Sequence, residues 1–62
     1  MENRIRQLRE EHKFSQSDLA TKCRVSRQTI NAIENNKYDP TLELAFRLAR
    51  VLGVKVDELF IY

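Results

Sequence analysis

Apolar residues recur at spacings of three and four along nearly the whole chain, and this periodicity constrains its fold more than any other feature. Such spacing is typical of helices that bury one face against their neighbours. The sequence holds one glycine and one proline, which leaves little material for tight β-hairpin turns. The pattern therefore predicts an all-α fold of short helices without a strand.

The predicted helices number five. They cover about residues 2–13, 16–23, 27–35, 42–52 and 57–60. Ser15, Ser26 and Thr41 stand before three of these segments and are favoured N-cap residues. Asp18 follows Ser15 at the spacing of a capping box, in which side chain and backbone cap each other. Gly53 is expected to end the fourth helix.

The chain has 62 residues, 42% of them hydrophobic, which suits one small globular domain. A domain of this size buries only about 60% of its unfolded surface, so its stability is marginal. Cys23 is the single cysteine and can form no internal disulfide. We therefore expect Cys23 to be a small core residue, and association with a second copy to add stability.

Enzymatic function is excluded by what the composition lacks. One glycine cannot build a phosphate-binding loop, and the single histidine, His12, has no neighbouring residue at metal-ligand spacing. We expect no cofactor and no metal, and we expect His12 to lie on the surface of a helix. The longest apolar run is residues 59–62, so a soluble, cytoplasmic protein without a membrane segment is expected.

Charge is unevenly distributed, although the net charge is only +2. Residues 1–37 carry eight Lys or Arg against five Asp or Glu, whereas residues 38–62 carry three against four. A basic N-terminal half is compatible with an anionic partner, but scattered solvated charges would give the same count.

Two short capped helices joined by a tight turn outline a helix-turn-helix. The motifs Ser15-Gln16-x-x-Leu19-Ala20, Val25-Ser26-Arg27-Gln28-Thr29-Ile30, Ile33-Glu34-Asn35, Pro40 and Leu48-Ala49-x-x-Leu52-Gly53-Val54 occur in this order. The chain thereby resembles the Cro/cI-like (XRE) helix-turn-helix family over residues 4–60. It looks most like the short stand-alone regulators of the cytolysin-repressor kind. One position departs from the family, which often has glycine where Arg24 stands.

The resemblance implies a compact five-helix, lambda-repressor-like DNA-binding domain over residues 1–62, with the helix-turn-helix at about 16–35. Its recognition helix, about 27–35, would enter the major groove of double-stranded DNA. The residues expected to contact bases are Arg27, Gln28, Asn31 and Ala32. Arginine pairs with guanine, glutamine and asparagine pair with adenine, and alanine can touch a thymine methyl.

A second set of side chains is expected to hold the DNA backbone, which positions a protein without reading sequence. The predicted phosphate contacts are Gln16, Ser26, Thr29, Asn35, Lys37 and Tyr38. Ser26 is expected to serve as a helix cap before it serves as a DNA ligand. Arg9 and Glu34 match family positions that form a structural ion pair between the first and third helices.

The C-terminal residues are too apolar for a free tail. We expect a dimer interface over about residues 54–62, as an isologous seam or as a strand pairing across the two-fold axis. It would involve Val54, Val56, Phe60, Ile61 and Tyr62. The expected function is that of a sequence-specific transcriptional regulator, a repressor, which binds a palindromic operator as a homodimer. The alternative is an antitoxin, a restriction-modification controller or an adaptor that acts through a partner protein.

Overall fold

The computed structural model describes residues 1–61 and contains five α-helices, with one short strand at each end of the chain. In chain order the elements are β1 Glu2–Asn3, α1 Ile5–Glu11, α2 Gln16–Cys23, α3 Arg27–Glu34, α4 Leu42–Leu52, α5 Val56–Leu59 and β2 Phe60–Ile61. The mostly helical prediction is confirmed, and the middle three helices lie within one residue of their expected bounds.

Local capping explains where these helices begin and end. Ser15 Oγ accepts a hydrogen bond from the Asp18 amide at 2.9 Å, and the Asp18 carboxylate accepts from the Ser15 amide, also at 2.9 Å. These bonds hold the pKa of the Asp18 carboxyl below its ordinary value. Thr41 caps α4 with its hydroxyl alone, which accepts from the Leu44 amide at 3.2 Å. Gly53 ends α4 at a φ of 73°, a left-handed conformation that glycine adopts without strain.

The core lies between α2, α3 and α4, and α1 and α5 each add a buried side chain to it. Its side chains come from the apolar stripe of each helix. The core residues are Ile5, Leu19, Ala20, Cys23, Ile30, Ile33, Leu44, Ala45, Leu48, Ala49, Leu52, Leu59 and Phe60. Burial raises the pKa of the Cys23 thiol, which is the behaviour of a core residue and not of a reactive cysteine.

The N-terminal end differs from the prediction. The first helix was expected from residue 2, but α1 begins at Ile5 and residues 2–3 form a strand. Asn3 explains the change, because its Oδ1 accepts from the Ile5 amide at 3.1 Å and its Nδ2 donates to the Ile33 carbonyl at 2.9 Å. The chain is thereby fixed to α3 in an extended conformation. Met1 is 42% exposed and does not continue a helical face.

The C-terminal end differs as well. The predicted last helical turn ends one residue early, at Leu59, and Phe60 and Ile61 form β2. This strand pairs antiparallel with β1 of the same chain, Glu2 opposite Ile61 and Asn3 opposite Phe60. Within one copy, β2 therefore has the chain's own N-terminus as its strand partner. Tyr62 lies outside the described residues.

His12 lies at the end of α1, exposed as predicted, and its Nε2 is 3.0 Å from the Leu52 carbonyl. Its ring stacks on Phe14 with centroids 5.3 Å apart, and the Lys22 ammonium sits 5.0 Å from the centre of the Phe14 ring. This cluster joins the C-terminal ends of α1 and α4.

Within residues 1–61, none of the helices has the length and apolar character that crossing a membrane requires.

Candidate nucleic-acid interface

A left-handed residue makes the turn of the helix-turn-helix. Arg24 follows α2 with φ 61° and ψ 39°, the conformation for which a glycine would be favoured. The next amide, that of Val25, donates to the Ala20 carbonyl at 3.0 Å and closes the end of α2. The turn is therefore short, and α3 begins at Arg27 directly after its cap, Ser26.

The N-terminal part of α3 presents polar side chains to solvent. Arg27, Gln28 and Asn31 are all exposed and together line a surface depression of about 270 Å³. Ile30 and Ile33, on the opposite face of the helix, are buried in the core. Ala32 is half-buried and lies at the edge of the exposed face. Three of the four predicted base-contacting residues therefore share one surface.

Ser26 and Thr29 hold the start of α3. Ser26 Oγ accepts from the Thr29 amide at 3.1 Å and lies 2.9 Å from Thr29 Oγ1. In the free protein these two predicted phosphate contacts are thus bonded to each other. Ser26 is exposed and Thr29 half-exposed at this helix N-terminus, so their oxygen and amide groups lie close to where a phosphate would approach.

Three more of the predicted backbone contacts lie after α3, and the sixth, Gln16, is the half-exposed first residue of α2. Asn35, Lys37 and Tyr38 are exposed, and Tyr38 is 46% accessible. Asn36 takes a φ of 61°, so the chain turns sharply away from the end of α3. The Lys37 amide donates to the Ala32 carbonyl at 2.9 Å, which fixes this turn against the helix.

A buried ion pair joins α1 to α3. The Arg9 guanidinium donates from Nε to Glu34 Oε2 at 2.7 Å and from Nη2 to Oε1 at 3.2 Å. The Glu34 side chain is 0% exposed and that of Arg9 is 12% exposed. Arg9 also donates to the Phe14 carbonyl at 3.0 Å, so the guanidinium bridges three parts of the chain. Such a bidentate pair fixes the orientation of α3 relative to α1.

Electrostatics at this pair favour the charged forms. Burial raises the pKa of the Glu34 carboxyl, but hydrogen bonds from Arg9, Gln16 and Arg6 outweigh it and leave that pKa below its ordinary value. The bond to Glu34 likewise raises the pKa of Arg9. Gln16 Nε2, the third donor, lies 3.1 Å from Glu34 Oε1, which places the first residue of α2 against the end of α3.

An apolar surface on α4 was missed by the sequence reasoning. Leu42 is 70% exposed and Phe46, one helical turn later, is 54% exposed. Both lie outside the buried stripe of α4, and that departure from the core periodicity was the signal that could have identified them. We call the exposed apolar face formed by Leu42 and Phe46 the α4 surface.

Two apolar depressions adjoin these side chains. One, of about 300 Å³, is lined by Met1, Pro40, Leu42, Ala45, Val56 and Phe60. The other, of about 250 Å³, is lined by Phe46, Ala49, Arg50, Val54, Lys55 and Val56. Three residues of the predicted dimer segment, Val54, Val56 and Phe60, therefore border the α4 surface. Phe60 is 9% exposed and belongs mainly to the core, and Ile61 lies on β2.

Among residues 1–61, no group of three or more His, Cys, Asp or Glu side chains is arranged to hold a metal ion.

The chain is similar to known regulators over nearly its full length. A model of the HTH_3 helix-turn-helix family matches residues 5–59. The chain is 53% identical to an uncharacterized HTH-type transcriptional regulator of Methanocaldococcus jannaschii, across 100% of this chain and 94% of that protein.

Two solved structures extend the similarity to the fold. The restriction-modification controller protein C.AhdI of Aeromonas hydrophila superposes with a TM-score of 0.85 at 30% identity, covering 92% of this chain and 86% of that one. The biofilm regulator SinR, solved in complex with DNA, gives a TM-score of 0.79 at 35% identity, covering 86% of each chain. Known members of the family are DNA-binding regulators and not enzymes. This chain belongs to the Cro/cI-like (XRE-type) helix-turn-helix family and is a DNA-binding transcriptional regulator.

Proposed function

We propose that this regulator binds a palindromic DNA operator sequence-specifically as a homodimer, with residues 1–62 as one DNA-binding domain. The observation that carries the proposal is the exposed face of α3, on which Arg27, Gln28 and Asn31 line one depression. These side chains offer the bidentate donors and acceptors that distinguish base edges in the major groove. Their helix begins at a capped N-terminus, which is the end that meets the bases in this motif.

In this proposal, Ser26, Thr29, Lys37 and Tyr38 hold the phosphate backbone on either side of the recognition helix. Ser26, Lys37 and Tyr38 flank α3 in the chain and Thr29 lies in its first turn, and all four are exposed or half-exposed. Contacts of this kind set the register of α3 in the groove without carrying sequence information. Bound across a promoter, the protein would exclude RNA polymerase, so repression is the expected outcome.

The second copy is proposed to sit on the α4 surface. Leu42 and Phe46 project from α4 while apolar depressions lie beside them, so the same surface supplies both projections and hollows. That is what an isologous two-fold interface needs, because each copy must complement itself. Val54, Val56 and Phe60, from the segment expected to dimerise, line the same depressions.

The size of the protein agrees with this arrangement. Its principal extents are 25 × 21 × 19 Å. Two copies side by side therefore have centres roughly 20–25 Å apart, so recognition helices at the ~34 Å spacing of successive major grooves would lie farther from the two-fold axis than those centres do.

Leu42→Glu tests the proposed dimer. Leu42 is the first residue of α4, where a carboxylate is favourable to the helix, so the variant is expected to fold. We expect it to sediment as a monomer at concentrations where the wild type is a dimer, and to bind operator DNA at least tenfold more weakly. Ile61→Lys is the control for a charge on an exposed apolar residue, since Ile61 is 47% exposed but lies on β2, where a lysine would face Glu2. A dimer that survives Leu42→Glu and dissociates with Ile61→Lys would contradict the placement.

A restriction-modification controller is the second candidate function, and the likeness to C.AhdI favours it. It uses the same DNA-binding surface and differs in the genes regulated. A neighbouring gene pair for an endonuclease and a methyltransferase, with an operator upstream, would support this candidate.

A further inference from the structure

A ring of hydrogen bonds connects the recognition helix to α1 and α2. Five side chains form it, each bonded to the next and the last to the first, in the order Arg6, Asn35, Asn31, Gln16 and Glu34. The Arg6 side chain is 55% exposed, whereas that of Glu34 is buried. The recognition-helix member, Asn31, is exposed.

The two charged groups determine which atoms donate and which accept around the ring. Arg6 can only donate, and its Nη2 donates to Asn35 Oδ1 at 3.2 Å. An ionised carboxylate can only accept, and Glu34 Oε1 accepts from Gln16 Nε2 at 3.1 Å. Arg6 Nε also donates to Glu34 Oε1, at 3.4 Å, which closes the ring.

The three amides that link Arg6 to Glu34 are each restricted to one orientation by these two groups. Asn35 turns its oxygen to Arg6, so its Nδ2 donates to Asn31 Oδ1 at 3.2 Å and to the Asn31 carbonyl at 2.9 Å. Gln16 turns its nitrogen to Glu34, so its Oε1 faces Asn31 Nδ2 at 3.5 Å. Asn31 is therefore held with its oxygen towards Asn35 and its nitrogen towards Gln16. Reversing its amide would set donor against donor on one side and acceptor against acceptor on the other.

We propose that Arg6 and Asn35 are positioning residues that fix the amide orientation of Asn31 for reading a base. This proposal rests on the proposed function, because it assumes that α3 reads DNA. Bidentate pairing with adenine needs an amide oxygen for N6 and an amide N–H for N7, in that order around the base. Asn31 keeps one free N–H and one free oxygen lone pair. An amide held in one orientation presents that pattern before DNA arrives, whereas a free amide must be fixed on binding.

The proposal changes the part assigned to Asn35, which was expected to contact a phosphate. Its amide nitrogen is used within the protein, on Asn31, and its oxygen is used by Arg6. Bonds in a closed chain also strengthen one another, so loss of Arg6 should weaken the link at Asn31 without direct contact between the two.

Arg6→Gln tests the proposal, with Arg4→Gln as the matched control for loss of one exposed charge from the same end of the chain. Arg6→Gln is expected to fold, because Arg9 retains both of its bonds to Glu34. Affinities are measured for the wild-type operator and for each single-base variant of it. Arg6→Gln should lower discrimination at one base position by about fivefold to tenfold, part of the value of one bidentate contact. Discrimination at the positions affected by Gln28→Ala should stay unchanged.

Salt dependence separates positioning from phosphate binding. A phosphate contact at Arg6 would weaken all duplexes alike and reduce the slope of log affinity against log salt by about one. That result, or equal effects of Arg6→Gln and Arg4→Gln on discrimination, would overturn the proposal. Asn35→Ala, which removes the link between Arg6 and Asn31, should give the same selective loss as Arg6→Gln.

A measurement on the DNA-free protein keeps this proposal separate from the proposed function. The Asn31 side-chain NH2 signals in a 15N-labelled sample should shift in Arg6→Gln and in Asn35→Ala but not in Arg4→Gln. Unchanged Asn31 signals in the first two variants would overturn the ring. Shifted signals with no base preference in the wild-type protein would support the ring and contradict the proposed function.

Discussion

Removing the guanidinium of Arg9 should destabilise the whole fold, because the partner carboxylate of Glu34 has no access to water. In Arg9→Met the two bonds of 2.7 and 3.2 Å to Glu34 are lost, as is the bond to the Phe14 carbonyl. Breaking one side of a buried pair costs about 3–5 kcal/mol, and we expect the lower end of that range because Glu34 Oε1 keeps its bonds from Gln16 and Arg6. The total stability of a 62-residue domain is roughly 3–9 kcal/mol, so this one change removes much of it.

Urea denaturation followed by circular dichroism measures this loss, at low temperature so that the variant remains partly folded. The double variant Arg9→Met/Glu34→Leu is the matched control, since it removes both charges and leaves none buried. We expect it to recover at least about 1 kcal/mol relative to Arg9→Met, because most of the cost lies in the buried carboxylate that has lost its bidentate partner. A loss below about 1 kcal/mol in Arg9→Met, the value of an exposed pair, would refute the reasoning.

The pH dependence gives an independent check with a defined sign. In the wild type the folded-state pKa of Glu34 lies below its ordinary 4.5, so its stabilisation is present above pH 4.5 and is lost as pH falls through the folded pKa. In Arg9→Met that pKa should rise, because burial is then opposed only by the bonds from Gln16 and Arg6, and the penalty should shrink as pH falls through it. The stability difference between the two proteins should therefore be largest near pH 7.

Three further predictions concern the turn and the DNA-binding surface. Arg24→Gly should stabilise the protein by about 0.5 kcal/mol in urea denaturation, because the strain energy relieved in the folded state exceeds the extra entropy that glycine gives the unfolded chain. Arg24→Ala keeps a Cβ and should not stabilise the protein. Lys37→Ala should weaken binding to all duplexes equally and reduce the salt slope by about one, and a sequence-dependent loss would contradict its assignment to the backbone. Gln28→Ala should cost about 1–3 kcal/mol in operator binding and relax preference at one base position, whereas unchanged preference would place the reading surface elsewhere.

Local chemistry made much of the fold predictable from sequence. The capping box of Ser15 and Asp18, the caps at Ser26 and Thr41 and the stop at Gly53 act within a few residues, and each lies where expected. The C-terminal strand was expected only as one possible pairing with a second copy, and the N-terminal strand was missed because Glu2–Asn3 has no β-pattern of its own. Its extended conformation depends on pairing with residues at the far end of the chain.

The candidate site was predictable to a different degree. The exposed polar face of α3 follows from periodicity, since Ile30 and Ile33 turn the other residues outward. The ion pair of Arg9 and Glu34 was expected only from the family resemblance, because two positions far apart in sequence carry no spacing signal. The hydrogen-bond ring through Arg6 was not predictable, because it depends on how three helices cross.

Selection from random duplexes of about 30 base pairs at near-physiological salt tests the central claim most directly. A homodimer reading DNA with two copies of α3 should enrich a palindrome whose half-site centres lie about 10 base pairs apart. The same selection with Gln28→Ala should keep that spacing and lose preference at one position of each half-site. Salt-sensitive binding to bulk DNA without any enriched sequence would contradict the account.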